Sequence, residues 1–263
     1  MTVGGYYPIA GRQLWVEDRA SWTSRAGVSP LLLLHGGLDH SASMLAPLDD
    51  TLRKTHRLIA FDRSGHGRSP ATSGCFDYTD MSAQVIAFIE EYVREPVHVV
   101  GASDGANCAL VAATQRPELF ATMVLTGANF HHDGLLADVL PPLDEVSSSF
   151  PHSETGRLCP EGPEQAAANA AATWRMWQSS PALAVADLAH VPTPSLVVVG
   201  DDEPIDLHHS VDLYQALPVA QFAVLPASSH AVMQEKPRLF AHLVSEFLAN
   251  PTNPHTLQPI RRR

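Results

Sequence analysis

Cysteine, positive charge and long apolar runs are all scarce in this chain, and each shortage closes off a class of protein. The three cysteines, Cys75, Cys108 and Cys159, are odd in number and widely spaced. That argues against a disulfide scaffold and fits a reducing compartment. No two of them have zinc-finger spacing. Lysine and arginine total 17 against 28 aspartates and glutamates, giving a net charge of -11. Such a surface repels a phosphate backbone, so nucleic acid is not an expected partner. The one basic cluster, Arg261-Arg262-Arg263, reads as a solvated terminus. No apolar run reaches the roughly 18 residues that a membrane span requires. The opening MTVGGYYPIAGRQLWVEDR has neither the basic nor the apolar segment of a signal peptide. The expectation is a cytoplasmic protein without a membrane partner. Its 263 residues, 45% hydrophobic and 17% charged, suffice for one large domain or two small ones.

What is present is a rhythm of strands and helices. Tyr6 to Ala10 and Gln13 to Glu17 flank Gly11-Arg12 as a hairpin. Leu31 to Leu34 is a continuous apolar run ending at His35-Gly36-Gly37, the mark of a buried strand. Met44, Leu45, Leu48 and Leu52 share one helical face within residues 41–52. Further strands are predicted at residues 56–61, 96–100, 123–125, 196–199 and 222–225, and further helices at 81–93, 106–113, 211–217 and 238–248. This alternation predicts an α/β fold with a mostly parallel sheet covered by helices on both faces. Residues 129–190 break the rhythm with Pro141, Pro142, Pro151, Pro160 and Pro163, an alanine run and two tryptophans. That length exceeds a plain connection and predicts a helical lid; a ragged helical crossover is the other reading. The predicted organisation is a core of residues 1–128 and 191–250, a lid of 129–190 and a tail of 251–263.

Four motifs carry chemistry. Gly101-Ala102-Ser103-Asp104-Gly105 follows a strand and precedes a helix of small residues. In that context G-x-S-x-G makes a tight turn that pushes a serine hydroxyl out above the sheet, at a helix N-terminus that favours developing negative charge. His35-Gly36-Gly37-Leu38 offers backbone N–H groups at a strand end; the N–H groups of Gly37 and Asp104 would together form an oxyanion hole. Ser228-Ser229-His230 lies between the last strand and the last helix. Of 14 histidines, His230 is the candidate base, because a serine hydroxyl needs one and the order Ser, acid, His places it there. Gly200-Asp201-Asp202-Glu203-Pro204 supplies the acid, with Glu203 and Asp202 both open and Asp133 a distant third. His131-His132 and His208-His209 read as surface residues without a third metal-binding partner.

In this order the motifs resemble the α/β-hydrolase family over nearly the whole chain. Residues 62–69, Asp-Arg-Ser-Gly-His-Gly-Arg-Ser, are similar to its D-x-x-G-x-G-x-S loop. Ser103-Asp104-Gly105 resembles the elbow of small serine esterases similar to valacyclovir hydrolase. Glu203-Pro204-Ile205 falls on the family's D-P-[IL] acid motif, with glutamate where aspartate is usual. The resemblance implies hydrolysis of a small carboxylic ester, lactone or related acyl substrate through an acyl-enzyme, without metal or organic cofactor. Its alternatives are an acyltransferase, a carbon–carbon bond hydrolase and a non-catalytic small-molecule binding protein. Leu38, Phe130, Trp174 and Trp177, with Phe150 and Met176, are the expected apolar pocket wall; the tryptophans as the lid's own core is the competing reading. The Asp104 carboxylate either meets a cationic group of the substrate or turns away from it.

Overall fold

The computed structural model describes residues 2–20, 30–252 and 256–258. The arginine cluster at residues 261–263 lies outside them. Strands β1 (Thr2–Ile9) and β2 (Arg12–Arg19) form the expected hairpin. Its turn is Ala10-Gly11 rather than Gly11-Arg12, with both residues at positive φ, 46° and 75°. A two-residue turn of this hand matches the twist of the flanking strands. The chain then continues through β3 (Pro30–Leu34), β4 (Arg57–Phe61), β5 (Val97–Ala102), β6 (Phe120–Thr126), β7 (Ser195–Asp202) and β8 (Ala220–Ser229). One eight-stranded sheet results, in the order β1-β2-β4-β3-β5-β6-β7-β8. β2 pairs antiparallel with β1 and β4, and every pairing from β4 to β8 is parallel.

The leucine run explains how both faces are filled. Leu31 to Leu34 are all fully buried, and successive side chains point to opposite faces. Leu32 and Leu34 join the core under α3 (Tyr78–Phe88), α4 (Asp104–Gln115) and α8 (Leu207–Ala216). Leu31 and Leu33 join the core under α1 (Ser41–Leu45), α2 (Asp49–Leu52), α9 (Val232–Glu235) and α10 (Pro237–Ala249). Two predicted helices are divided. The 41–52 helix splits into α1 and α2 around Pro47, which lacks the N–H a helix interior needs. The 81–93 helix begins three residues earlier, where Asp77 caps the N–H groups of Thr79 and Asp80, and ends in a π turn, Ile89–Val93.

Between β6 and β7 lie α5 (Leu143–Ser149), α6 (Pro163–Trp177), α7 (Val185–Leu188) and three short 3-10 turns. The α6 helix is fastened at its middle and at its C-terminal end. Asn169 Nδ2 donates to the Gly65 carbonyl at 3.0 Å, and the Trp177 indole reaches Asp104 on α4. All three cysteines are free. No helix among the described residues is long and apolar enough to cross a membrane.

Candidate active site

The strand ends assemble the site. Ser103 stands between β5 and α4 at φ 52° and ψ -121°, a strained conformation for a residue with a side chain. Three backbone bonds hold it: its N–H donates to Thr126 O at 2.8 Å, and its carbonyl accepts from Ala106 and Asn107 at 2.8 and 3.0 Å. Gly101 and Gly105 are there because a methyl group on either would collide with backbone, of Ala106 in one case and of Leu34 and His35 in the other. The elbow, the loop at His35-Gly36 and the helix can pack this closely only because those two side chains are missing.

His230 follows β8 directly. The β7–β8 register shifts between Gly200 and Asp202, which pairs Asp202 with Ser229 and leaves Glu203 and His230 side by side. Such an irregularity bends the strand and re-aims the side chains at its end. Of the two acids left open by the sequence, Glu203 is the one on the imidazole: its Oε1 accepts from His230 Nδ1. Its carboxylate is fully buried, and Oε2 also accepts from Gly200 N–H at 3.3 Å. Asp202 is exposed, and Asp201 accepts from Ser228 N–H at 3.1 Å. Asp133 is 78% exposed and pairs with His131 and His132 instead.

Ser103, His230, Gly37 and Asp104 border one cavity of about 220 Å³, walled by Leu135, Val139, Leu140, Trp177 and Ile205. An outer cavity of about 410 Å³ shares Leu135, Val139, Leu140 and Trp177 with it and adds His132, Asp133, Trp174 and Gln178. The expected pocket wall is therefore corrected in part. Trp177 lines the inner cavity, and Trp174 only the outer, its indole donating to Pro141 O at 2.9 Å. Phe130 is buried against His209, ring centroids 4.0 Å apart, and Met176 is packed in the core. Leu38 and Phe150 line a separate crevice beside Gly65 and His66. Their residue types mark them as apolar, but the direction each faces is fixed by how the chain packs over the strand ends.

Asp104 neither turns into solvent nor stands unpartnered. It is 2% exposed, accepting from Tyr78 Oη at 2.6 Å and from Trp177 Nε1 at 2.9 Å. Burial pushes its carboxyl above the usual range, while the Arg63 charge and the bonds from Tyr78 and Trp177 pull the other way. Asn107 extends the network, donating to Tyr78 Oη at 3.2 Å and to Asn129 Oδ1 at 2.8 Å.

Two further residues shape the site without any motif to announce them. Gly127 closes β6 at φ 58°, where an added methyl would lie 2.6 Å from His230 Cε1 and 3.1 Å from Glu203 Oε1. A glycine two residues past the strand predicted at 123–125 was its only signal. Tyr78 carried none.

The histidine pairs differ from expectation as well. The 3-10 turn His132–Gly134 folds Asp133 back onto both rings, so His131, His132 and Asp133 do gather within 4.8 Å. The two rings stack at 4.3 Å instead of diverging. His131 Nδ1 accepts from Asp133 N–H at 3.2 Å and His132 Nδ1 meets Pro181 O at 3.3 Å, so protein groups already engage both Nδ1 atoms. Of the three, His132 and Asp133 border the outer cavity, away from Ser103.

Comparison with known proteins agrees with this architecture. The model of the alpha/beta hydrolase family matches residues 31–243. A putative carbamate hydrolase, RutD, of Pseudomonas savastanoi pv. phaseolicola is 26% identical over 250 residues, covering 84% of this chain and 94% of the relative. Among solved structures, a carboxylesterase of Bacillus subtilis, CesB, superposes with a TM-score of 0.74 at 18% identity over 94% of this chain and 92% of its own. A meta-cleavage product hydrolase of Pseudomonas fluorescens superposes at 0.72 with 19% identity over 94% of this chain and 98% of its own. The chain is a hydrolase and belongs to the α/β-hydrolase family.

Proposed function

We propose that this enzyme hydrolyses small carboxylic esters or lactones through a covalent acyl-serine, with Ser103, His230 and Glu203 as the triad. The observation that carries the reading is the His230 imidazole, which rests on a buried glutamate and borders the same cavity as a serine held in the strained elbow conformation. Glu203 accepts from Nδ1, which keeps the proton there and leaves Nε2 free as base. His230 Nε2 takes the hydroxyl proton as Ser103 Oγ bonds to the carbonyl carbon. The electron pair moves to the carbonyl oxygen, which meets the N–H groups of Gly37 and Asp104. Collapse expels the alkoxide, protonated by His230. Water, deprotonated by the same nitrogen, then bonds to the acyl carbon and releases Ser103 and the acid.

The walls speak to the substrate. Neither cavity is lined by lysine or arginine, and the acids present are Asp104, Asp133 and Asp138. An anionic acyl group would meet no countercharge, so a neutral or cationic, partly apolar ester suits the site. Residues 129–190 serve as the lid that supplies Trp177 and the leucines. A second reading is carbamate hydrolysis, favoured by the likeness to the putative carbamate hydrolase along 84% of the chain; a carbamate carbonyl passes through the same tetrahedral adduct.

The test is hydrolysis of p-nitrophenyl acetate through octanoate and of a phenyl carbamate by wild type and Ser103→Ala. Turnover lost in the variant at unchanged melting temperature is the expected result. A variant with near-full activity refutes the mechanism. The ratio of ester to carbamate turnover separates the two readings.

A further inference from the structure

The largest fully buried side chain among the described residues is a charged one, Arg63. It follows β4, forms no ion pair among the described residues, and leaves its Nε without a partner. A guanidinium stays protonated in any protein. A cation shut away from water with no carboxylate in contact is costly, even with the buried Asp104 charge acting on it from a distance, and a neutral side chain of similar volume would avoid that cost. What the charge does touch is the oxyanion loop. Nη1 donates to the His35 carbonyl at 2.6 Å and Nη2 to the Gly36 carbonyl at 2.9 Å.

The Gly36 carbonyl belongs to the peptide unit whose other end is the Gly37 N–H. In a trans peptide these two groups point in opposite directions within one plane. Fixing the carbonyl therefore fixes the N–H. A second donor acts on the same oxygen: His35 Nδ1, at 2.7 Å. Its proton position is set by Arg63 as well, because the Arg63 backbone N–H donates to His35 Nε2 at 3.1 Å, leaving Nδ1 to carry the hydrogen. Burial holds His35 well below its usual pKa, so the ring is neutral and this single tautomer serves.

We infer that Arg63 is a positioning residue for the oxyanion hole: its buried guanidinium, together with the His35 ring it orients, clamps the Gly36–Gly37 peptide and polarises it so that the Gly37 N–H becomes a stronger and better-aimed donor. A positive charge on the carbonyl oxygen draws electron density from the N–H along the amide, and hydrogen bonds in a chain strengthen one another in this way. This rests on the proposed role of Gly37 in catalysis. It also explains why the position after Asp62 holds a cation rather than an apolar residue. A purely packing role needs only volume, whereas this role needs charge and a two-pronged donor.

The experiment measures the rate at which a fluorophosphonate phosphonylates Ser103 in wild type, Arg63→Lys and Arg63→Gln. In that reaction the Ser103 Oγ–P bond forms, fluoride leaves, and the serine proton passes to His230, while the phosphoryl oxygen occupies the oxyanion hole. Melting temperature, and kcat and KM for p-nitrophenyl butyrate, are read alongside. The expected result is a rate lower by about tenfold or more in the glutamine variant, with a smaller fall in the lysine variant, which keeps the charge but not the fork. The loss should fall on kcat with KM nearly unchanged, as for an interaction made only in the transition state. A folded variant that labels at the wild-type rate overturns the proposal and leaves the serine mechanism standing. Failure of both variants to fold makes Arg63 a structural residue and also overturns it. Failure of the wild type itself to be labelled refutes the serine mechanism, and this proposal with it.

Discussion

Gly127→Ala tests the geometry of the triad more sharply than removal of a triad member, because it touches none of the reacting groups chemically. Two costs are expected, and they are read by different assays. At φ 58° an alanine sits in the left-handed region, which costs about 1–2 kcal/mol for a residue with a Cβ. In a chain of this size that lowers the melting temperature by about 2–8 °C. The second cost is local. The new methyl would stand 2.6 Å from His230 Cε1 and 2.8 Å from Nδ1, where ordinary contact begins at 3.4 Å. The imidazole must retreat by at least 0.8 Å, the difference between those two figures, and Glu203 Oε1, 3.1 Å from the methyl, blocks part of the way. Misplacement of a catalytic group by about 1 Å costs roughly 100-fold in rate, or ~2.7 kcal/mol of activation free energy. The assay is kcat/KM on p-nitrophenyl butyrate beside a calorimetric melt. A lower melting temperature with kcat/KM within about threefold of wild type would mean that the ring has a second workable position, and the argument that Gly127 reserves the imidazole's place would be wrong.

Two other predictions follow from the site and its surroundings. Glu203→Gln should reduce kcat by about 100-fold or more, since an amide no longer stabilises the imidazolium, while Asp202→Asn stays within about twofold; steady-state kinetics on the two variants decides, and equal losses would contradict the assignment of the acid. The second concerns acid stability. Burial holds His35 well below its usual pKa and His66 down to about 3, so both stay neutral in the folded protein. The unfolded chain binds these protons near pH 6.5, so the stability they contribute is complete above that pH and is lost as pH falls from about 6.5 toward 3. Between pH 7 and 5 His66 removes ~2 kcal/mol. Urea unfolding at the two pH values should therefore show a loss in His66→Gln smaller by that amount; an unchanged loss would refute the linkage.

Much of the site was legible because local chemistry dictates it. G-x-S-x-G between a strand and a small-residue helix demands the elbow whatever surrounds it, since Gly101 and Gly105 face backbone across gaps too narrow for a methyl. His230 was recoverable from its place after the last strand. The acid was narrowed to Glu203 and Asp202 but not chosen, because the choice depends on a one-residue register shift between β7 and β8, and adjacent residues of a strand face opposite ways. The pocket wall was the least legible part. Phe130, Leu38 and Trp174 are as apolar as Trp177, and apolarity says that a side chain is covered without saying by what.

The sequence by itself determined the alternation of elements and the parallel sheet buried on both faces, and it singled out Ser103 and His230 as candidates, because each reading rests on periodicity, on chain order or on a turn only certain residues can make. Tertiary structure alone decided which acid meets His230, that Asp104 is held by Tyr78 and Trp177, that Gly127 leaves room for the imidazole, and that Arg63 lies buried against the oxyanion loop. Those contacts join residues far apart in the chain, from 26 positions between Tyr78 and Asp104 to 103 between Gly127 and His230. No local pattern encodes such pairs; they exist only once the helices have closed over the strand ends.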